Sequence, residues 1–307
     1  MAAALRSRPG VPLSRPAAVA VAGSAARTRS RRRAARLRAG TKRERVLWAG
    51  ERGVRRALSG RLGDAAVHAN GDAAMTQRTT LVTGASRRIG RAIAEACLAR
   101  GETVVAHRRS ATSECAPFSA PVIDWCWDMT QPLPGLPAAQ ITDVVLNASL
   151  FERGYAWGAL GAAEVGDERE RLERHLRVNL LAPWELVVRL HAQHPLRSVV
   201  MLLDTYLDRA FAGHAAYQVS RAAGAGMVRA LAAELAPACV NAVAPGTVLP
   251  SVRDPAERAE QEEAIAARTV LGRMGSVDDV VQAVLYLRDA AYITGEILRV
   301  DGGRFKL

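Results

Sequence analysis

The chain has 307 residues and a formal net charge of +12, but its basic charge is concentrated at one end. Residues 1–74 hold 17 of the 42 lysines and arginines and 4 of the 30 acids, a net +13, which leaves 25 and 26, a net −1, for residues 75–307. The larger part therefore lacks the basic excess of a nucleic-acid-binding domain. Four cysteines without paired spacing argue against a zinc or disulfide framework, and no apolar run is long enough to cross a bilayer. We expect no metal site, no nucleic-acid partner and no membrane partner.

Residues 1–74 are rich in Ala, Arg, Gly, Ser and Pro and contain one aromatic residue, Trp48. Such a composition buries too little apolar surface to offset the entropy of ordering, so we expect a disordered basic extension. Three interpretations stay open: the natural start is Met75, the segment is a transit peptide, or it is a nucleic-acid-binding arm. The first is favoured and predicts a cytoplasmic protein, whereas a genuine transit peptide predicts an organellar one.

A strand that runs through a glycine turn into a helix is the first structured unit that the sequence predicts. Thr79–Val82 form the strand, Gly84–Gly90 form a small-residue turn with two arginines, and apolar residues recur at helical spacing from Ile89 until Gly101. Backbone N–H groups and the positive end of a helix dipole converge at such a turn. We therefore expect the pyrophosphate of a dinucleotide to bind there.

Strands and helices alternate after this unit, which predicts one α/β domain over residues 75–307 with a Rossmann-type doubly wound parallel sheet. Glu168, Glu170 and Glu173 interleave with arginines and predict a solvated charged helix face. The further predicted strands and helices are Thr103–Ala106, Val122–Trp127, Asp143–Leu146, a helical region after Glu164, Ser198–Leu203, the helix Ala215–Leu235, Cys239–Val243, the helix Val277–Arg288 and Glu296–Val300.

Six short motifs follow one another along residues 76–307. They are TGASRRIG at Thr83–Gly90, LNAS at Leu146–Ser149, VN at Val178-Asn179, YQVSR at Tyr217–Arg221, NAVAPGTV at Asn241–Val248 and ITGEILRVDGG at Ile293–Gly303. In this order they resemble the short-chain dehydrogenase/reductase family. The resemblance implies an NAD(P)-dependent oxidoreductase.

Within that family, four details are most similar to the pteridine reductases and dihydromonapterin reductases. Arg88 stands where the phosphate loop usually has a glycine, and the second strand ends in His107–Ser110, where NAD-binding members carry an acid. The fourth strand ends in NAS followed by Leu150-Phe151. Asp204 lies thirteen residues before Tyr217, where most members have a serine.

The end of the second strand favours NADPH as the coenzyme. Arg108, Arg109 and Ser110 would neutralise a ribose 2′-phosphate with charge-assisted hydrogen bonds, whereas an acid there would bind a free 2′-hydroxyl. The Arg88 guanidinium can reach both the pyrophosphate and a polar ligand edge. The residues predicted to bind the coenzyme are Gly84, Arg87, Arg88, Ile89, Gly90, His107, Arg108, Arg109, Ser110, Asp128, Asn147, Ala148, Ser149, Pro245, Gly246 and Val248.

The resemblance assigns the proton donor to Tyr217, whose pKa near 10 must be lowered by a neighbouring cation to act near neutrality. In the family this cation is a lysine four residues on, but here it is Arg221, which is not a conservative change. We therefore expect reduced or differently tuned activity. By resemblance, Asp204 helps to protonate the substrate ring, and Asn179 holds a water that connects the site to solvent.

These residues predict NADPH-dependent reduction of a dihydropterin, such as dihydromonapterin or dihydrobiopterin, to its tetrahydro form. Phe151 would stack on the flat heterocycle, with Arg88 and Ser149 as the other predicted substrate contacts. One alternative is a ketone or acyl-carrier ketoreductase. Another is a catalytically silent NADP-binding protein, which Arg221 would explain. The resemblance further implies a homotetramer.

Overall fold

The computed structural model describes residues 78–155, 161–209, 211–250 and 254–304. The predictions for residues 1–74, a disordered extension with three interpretations, lie outside these ranges. In chain order the elements are β1 (Thr79–Val82), α1 (Arg88–Ala99), β2 (Thr103–Arg108), β3 (Ile123–Cys126), β4 (Asp143–Leu146), α2 (Ala162–Leu176), a π-helix (Arg177–Leu181), α3 (Ala182–Gln193), β5 (Ser198–Leu202), a 3₁₀ turn (Thr205–Asp208), α4 (Ala215–Glu234), β6 (Cys239–Pro245), α5 (Pro255–Ala266), α6 (Val277–Asp289) and β7 (Ile297–Val300).

The seven described strands form one parallel sheet in the order β3-β2-β1-β4-β5-β6-β7. Leu81 in β1 pairs with Val105 of β2 on one side and with Val144 of β4 on the other. The direction of winding reverses between these two neighbours, and ligands of open α/β sheets bind outside the carboxyl ends of the strands at such a point. The predicted doubly wound fold is confirmed.

Helices cover both faces of the sheet because its central strands are apolar on both sides. On one face, α3 and α4 bring Leu186 and Leu231 into a core with Val144. On the other face, α1 and α6 bring Ile93 and Val284 into a second core. These two layers fix the carboxyl ends of β1, β4, β5 and β6 at one edge, where the predicted site residues lie.

Two strands run further toward this edge than the sequence predicted. β2 continues past Ala106 because Arg108 pairs with Cys126 of β3, and β6 continues past Val243 because Pro245 pairs with Val300 of β7. In contrast, β3 is shorter than the predicted Val122–Trp127. The extension of β2 makes His107 and Arg108 part of the sheet, so their backbone is fixed by strand pairing.

The helix α5 was not predicted, although its start carries a readable signal. Asp254 caps it by accepting hydrogen bonds from Ala256 N at 2.9 Å and Glu257 N at 3.1 Å, and Pro255 follows as the first helical residue. Among the described residues, no helix is long and apolar enough to cross a membrane, and no group of three or more His, Cys, Asp or Glu side chains could hold a metal ion.

The prediction of a wholly solvated face on α2 is wrong for Glu168. Its side chain is 11% exposed and pairs with Arg171 at 3.1 Å. It also accepts a hydrogen bond from Tyr155 N at 3.0 Å, so it holds a loop rather than facing solvent.

Candidate active site

The turn between β1 and α1 is held tightly against the end of β4. The Thr83 hydroxyl accepts hydrogen bonds from Asn147 N at 2.8 Å and Ala148 N at 2.9 Å. The Asn147 amide donates back to Thr83 O at 2.9 Å and to Gly84 O at 3.2 Å. A Cβ at Gly90 would lie 2.3 Å from Gly84 O, so only glycine fits there. Asn147 and Ala148, at the end of β4, therefore hold the turn in position through these hydrogen bonds.

No side-chain hydrogen bond from the N-cap residue occupies the first backbone N–H groups of α1. Arg87 provides no side-chain cap, and the first turn carries no acid. Arg88 has a φ of +54°, a left-handed conformation that disfavours a non-glycine residue by roughly 1–2 kcal/mol. Both arginines are exposed, while Ile89 turns partly inward. An uncapped N-terminus flanked by two exposed guanidinium groups suits an anion such as a pyrophosphate.

His107, a predicted coenzyme contact, binds the turn itself. Its Nε2 lies 2.8 Å from Trp127 O, which can only accept, so Nε2 carries the proton and Nδ1 accepts from Gly84 N at 3.0 Å. Burial lowers the pKa of His107, which keeps the ring neutral. Both ring nitrogens are therefore engaged with backbone, and His107 would act on a coenzyme through the position of Gly84.

The two arginines that follow have different surroundings. Arg108 grips Asp124, with Nε 2.7 Å from Oδ1, and also donates to Ala111 O at 2.9 Å. Arg109 donates only one described hydrogen bond, from Nε to Asp128 Oδ2 at 3.0 Å, and its side chain is 74% exposed. Arg109 is therefore the arginine that can reach a ligand. The neighbouring Ser110 hydroxyl lies 3.1 Å from the Thr112 hydroxyl and 3.2 Å from that of Ser113.

The end of β6 lies beside the end of β5. The Thr205 hydroxyl donates to Pro245 O at 3.2 Å, and Gly246 N donates to Val300 O at 2.8 Å. A Cβ at Gly246 would lie 2.9 Å from Asp301 Cα, so a larger residue does not fit at this position. Val248, also predicted to contact the coenzyme, is buried in the core beside α1 and α6.

The catalytic residues predicted from sequence meet at the edge formed by β5 and α4. Tyr217 Oη donates to Asp204 Oδ2 at 2.8 Å, and Asp204 Oδ1 accepts from Tyr206 N at 2.9 Å. The guanidinium carbon of Arg221 lies 5.7 Å from the centre of the Tyr217 ring. Arg221 is 4% exposed and donates through Nη2 to Leu202 O, while its Nε and Nη1 are buried without a hydrogen-bond partner among the described residues.

The pKa of Tyr217 is not lowered as the sequence predicted. Burial raises it well above its usual value, and the Arg221 charge, which lowers it, is opposed by Asp204. Burial also raises the pKa of Asp204, against hydrogen bonds from Tyr206 and Tyr217. The Tyr217 phenol is therefore protonated and hydrogen-bonded to Asp204, which suits a proton donor rather than a resident phenolate.

Two aromatic rings, those of Phe151 and His214, lie beside the Tyr217 phenol. Phe151 is 59% exposed, and its ring meets Tyr217 edge to face at 4.8 Å and stacks on His214 at 5.3 Å. Ser149, two residues earlier, is exposed at the end of β4. The exposed Phe151 ring offers a flat apolar surface immediately beside a proton donor.

Asn179 lies in the π-helix, a distortion that often occurs at functional sites. Its Oδ1 accepts from Leu150 N at 2.7 Å, and its Nδ2 lies 3.0 Å from Leu150 O and 2.9 Å from the Ser220 hydroxyl. Asn179 therefore holds the loop before Phe151. Its predicted role in binding a water stays a prediction.

Sequence reasoning missed two residues of this site, Thr83 and His175. Thr83 follows β1 and organises the end of β4, and its place between a strand and a glycine turn was the available signal. His175 is fully buried on α2 with its ring 6.2 Å from that of Tyr217. It lies four residues before Asn179 on the same helical face, which a search by helical spacing would have found.

Comparison with known proteins agrees with this geometry. A family model described as "Enoyl-(Acyl carrier protein) reductase" matches residues 143–304. The chain is 30% identical over 247 residues to 3-oxoacyl-[acyl-carrier-protein] reductase FabG of Vibrio harveyi, which covers 74% of this chain and 97% of that protein. It is 28% identical over 249 residues to dihydromonapterin reductase of Enterobacter sp. (strain 638), with the same 74% and 97% covered.

Among solved structures, a putative NAD(P)-dependent gluconate 5-dehydrogenase from Beutenbergia cavernae with bound NADP is 27% identical. It superposes with a TM-score of 0.60 over 76% of this chain and 99% of that one. The prediction of an NAD(P)-dependent oxidoreductase is confirmed. With a family model over more than half its length and relatives at this identity, the chain belongs to the short-chain dehydrogenase/reductase family.

Proposed function

We propose that this protein is an NADPH-dependent reductase of a dihydropterin. The observation that carries the proposal is the hydrogen bond between Tyr217 and Asp204 at 2.8 Å beside the exposed Phe151 ring. A flat heterocycle with a C=N bond needs a stacking surface and a proton source, and this corner offers both. Similarity to dihydromonapterin reductase supports the same substrate class.

The residues present fit a phosphorylated dinucleotide. The uncapped N-terminus of α1 would hold the pyrophosphate, and the exposed Arg109 would pair with a ribose 2′-phosphate. The unpartnered Nε and Nη1 of buried Arg221 are donors that ribose hydroxyls would satisfy. The NADP-bound relative supports this choice of coenzyme. When bound, NADPH supplies the hydride, and the chain supplies position and proton.

The proton comes from the Tyr217 phenol, which burial keeps protonated. Reduction of a C=N bond leaves negative charge on nitrogen, so a donor beside that atom lowers the barrier. Asp204 accepts the phenol hydrogen bond and so orients the Tyr217 hydroxyl, and burial raises the pKa of this carboxyl above its usual value. We expect Tyr217→Phe to lower kcat by about 10²–10⁴-fold. Unchanged turnover in this variant would remove Tyr217 as the donor.

The direct test follows NADPH absorbance with dihydromonapterin, dihydrobiopterin and a simple ketone as substrates. Turnover of the pterins and not of the ketone supports the proposal. Phe151→Ala should then raise KM for the pterin, whereas Phe151→Tyr, which keeps a ring, should not. Turnover of the ketone or of a β-ketoacyl thioester alone would favour the second candidate, a ketoreductase, which the similarity to FabG supports.

Coenzyme choice is tested separately. Arg109→Ala should lower the preference for NADPH over NADH by at least about tenfold, because a charge-assisted hydrogen bond is lost. Arg108→Ala is the matched control, since Arg108 is occupied by Asp124 and should change the preference less. Equal affinity of the wild-type protein for both coenzymes would overturn the assignment. Tight NADPH binding with no turnover of any substrate would instead favour the silent NADP-binding protein.

We also propose a homotetramer, supported by two separate apolar surfaces. Leu181, Trp184 and Val188 are exposed at helical spacing along the π-helix and α3, and Tyr286 and Leu298 are exposed on α6 and β7. A tetramer with three two-fold axes requires at least two separate interfaces on each subunit. Trp184→Glu should halve the mass measured by light scattering.

The division into residues 1–74 and a reductase domain over residues 75–307 stays a prediction, which mass spectrometry of the native protein would test. The cytoplasmic location also stays a prediction, which cell fractionation would test.

A further inference from the structure

The loop after β4, residues 150–155, carries Phe151, and three of its backbone amides donate to side chains of one helical segment, while Gly154 N donates to Gly213 O at 2.7 Å. We call it the Phe151 loop. Leu150 N donates to Asn179 at 2.7 Å, Glu152 N donates to His175 Nε2 at 3.2 Å, and Tyr155 N donates to Glu168 at 3.0 Å. These three side chains of α2 and the π-helix, together with the Gly213 carbonyl, hold the loop in position.

These three acceptors lie on one face of the helix. Glu168, His175 and Asn179 are separated by seven and four residues, which is two turns and then one turn of an α-helix. A Cβ at Gly154 would lie 2.4 Å from Glu168 Oε1, so the loop approaches this face closely. The helix presents a row of hydrogen-bond acceptors to the loop amides.

His175 is the central member of the row and, like Asn179, is fully buried. Its Nδ1 lies 2.8 Å from Arg171 O, and because a carbonyl can only accept, Nδ1 carries the proton. Nε2 is then the acceptor for Glu152 N, so the helix carbonyl sets the tautomer that the loop requires. The His175 ring is fully buried and meets the Tyr217 ring edge to face at 6.2 Å.

The two amides on either side of Phe151 are thus fixed by His175 and Asn179. With Leu150 and Glu152 both held, the Phe151 ring is directed at Tyr217, which it meets at 4.8 Å. The Glu152 carboxylate adds an ion pair with Arg174 at 3.2 Å, but this pair is on the exposed side of the loop and acts on the side chain, not on the amide.

We propose that His175 is a positioning residue that fixes the Phe151 loop over Tyr217 through its Nε2 acceptor and thereby sets substrate affinity. It touches neither substrate nor coenzyme. The inference deepens the proposed function and rests on it in one respect, that substrate binds against Phe151.

Two amide variants separate the acceptor from the ring. The glutamine oxygen of His175→Gln reaches the place of Nε2, whereas the shorter asparagine of His175→Asn reaches only the place of Nδ1. We expect His175→Asn to raise KM for substrate about tenfold, the effect of one lost buried hydrogen bond, while kcat and the NADPH Kd change by less than about threefold. His175→Gln should keep KM within about threefold of wild type.

Hydrogen exchange gives a readout that needs no substrate. Amides of residues 150–155 should exchange faster in His175→Asn and at the wild-type rate in His175→Gln. Should the core variants fail to fold, Glu152→Pro deletes the same amide from the loop and should raise KM alike, while Glu152→Gln keeps the amide and should not.

Unchanged KM and exchange in His175→Asn, or a glutamine variant no better than the asparagine one, would overturn the proposal. So would equal losses in kcat and NADPH affinity, which would mark a purely structural role. If the wild-type protein reduces a ketone and no pterin, the proposed function fails but the exchange result and the KM for that ketone still decide the role of His175.

Discussion

Two arginines, each only 4% exposed, lie at opposite edges of the sheet. At the amino edge, Arg288 binds Glu102 through both terminal nitrogens, at 2.7 and 2.6 Å, and also contacts Cys97 Sγ at 3.1 Å and the Thr80 hydroxyl at 3.3 Å. At the carboxyl edge, Arg221 reaches one backbone carbonyl, and its Nε and Nη1 have no described partner.

The difference shows what each buried charge does. The charge of a buried guanidinium that binds a carboxylate through two hydrogen bonds is neutralised by that carboxylate. Removing the guanidinium therefore leaves a buried carboxylate without a counter-charge. A buried guanidinium without a carboxylate partner is costly to the fold itself. Arg221 is kept beside Tyr217 and Asp204, which is consistent with a binding and electrostatic role rather than a structural one.

The largest effect is expected at the amino edge. Arg288→Met leaves Glu102 buried and unpaired, and should lower the free energy of unfolding by about 3–5 kcal/mol, measured by urea denaturation. NADPH affinity of the folded fraction should not change, because this edge is remote from the turn after β1. The double variant Glu102→Leu/Arg288→Met should recover part of the loss. A stable single variant would show that the pair does not hold α1, β2 and α6 together.

In contrast, Arg221→Met should lower activity and not stability. We expect an unchanged or higher free energy of unfolding, since an incompletely bonded buried charge is removed, together with a fall in kcat of about 10²-fold. The same urea titration and steady-state kinetics measure both. A loss of stability as large as that of Arg288→Met would make Arg221 a structural residue and end the contrast.

A smaller effect is expected from Arg221→Lys, which restores the residue usual in the family. Lysine concentrates its charge at one point and should lower the pKa of Tyr217 more than the spread guanidinium does. We expect kcat to rise by at most about tenfold for each unit by which the pKa of Tyr217 falls. The pH dependence of kcat measures both values together. A lower kcat in the lysine variant would mean that the site is built around the arginine fork.

The contrast also explains which parts of the site were predictable. The thirteen-residue spacing placed Asp204 beside Tyr217, because the end of a strand and the start of the next helix meet at one edge of a parallel sheet, and the bond is 2.8 Å. The direction of the Tyr217 pKa was not predictable, since it depends on burial that only tertiary packing creates. Helical spacing could have placed His175 on the face of Asn179, but not its hydrogen bond to Glu152 N, because Glu152 lies in a loop without periodicity, 23 residues away.

The smallest expected effect is a difference between the two edges of the sheet in how their contribution to stability depends on pH. His107 and His175 lie near the carboxyl edge, and burial lowers the pKa of each below the ordinary value of 6.5, whereas the amino edge is held by arginine and carboxylates. Above about pH 7.5 both histidines are neutral in the folded and unfolded chain and do not affect stability. As pH falls below 6.5, the unfolded chain takes up protons that the folded chain excludes, so stability declines, by at most about 1.4 kcal/mol per pH unit for each histidine.

Around His175 the charges of Glu152, Arg171 and Arg174 partly cancel, which leaves burial as the dominant cause. Urea midpoints at pH 7.5, 6.5 and 5.5 should therefore fall mainly in the last interval, and His175→Gln should reduce that fall. Glu102→Gln, at the other edge, should lower all three midpoints without changing the difference between them. An equal fall in wild type and His175→Gln would mean that His175 takes up its proton within the fold, and the hydrogen bond to Glu152 N would then be lost at the same pH.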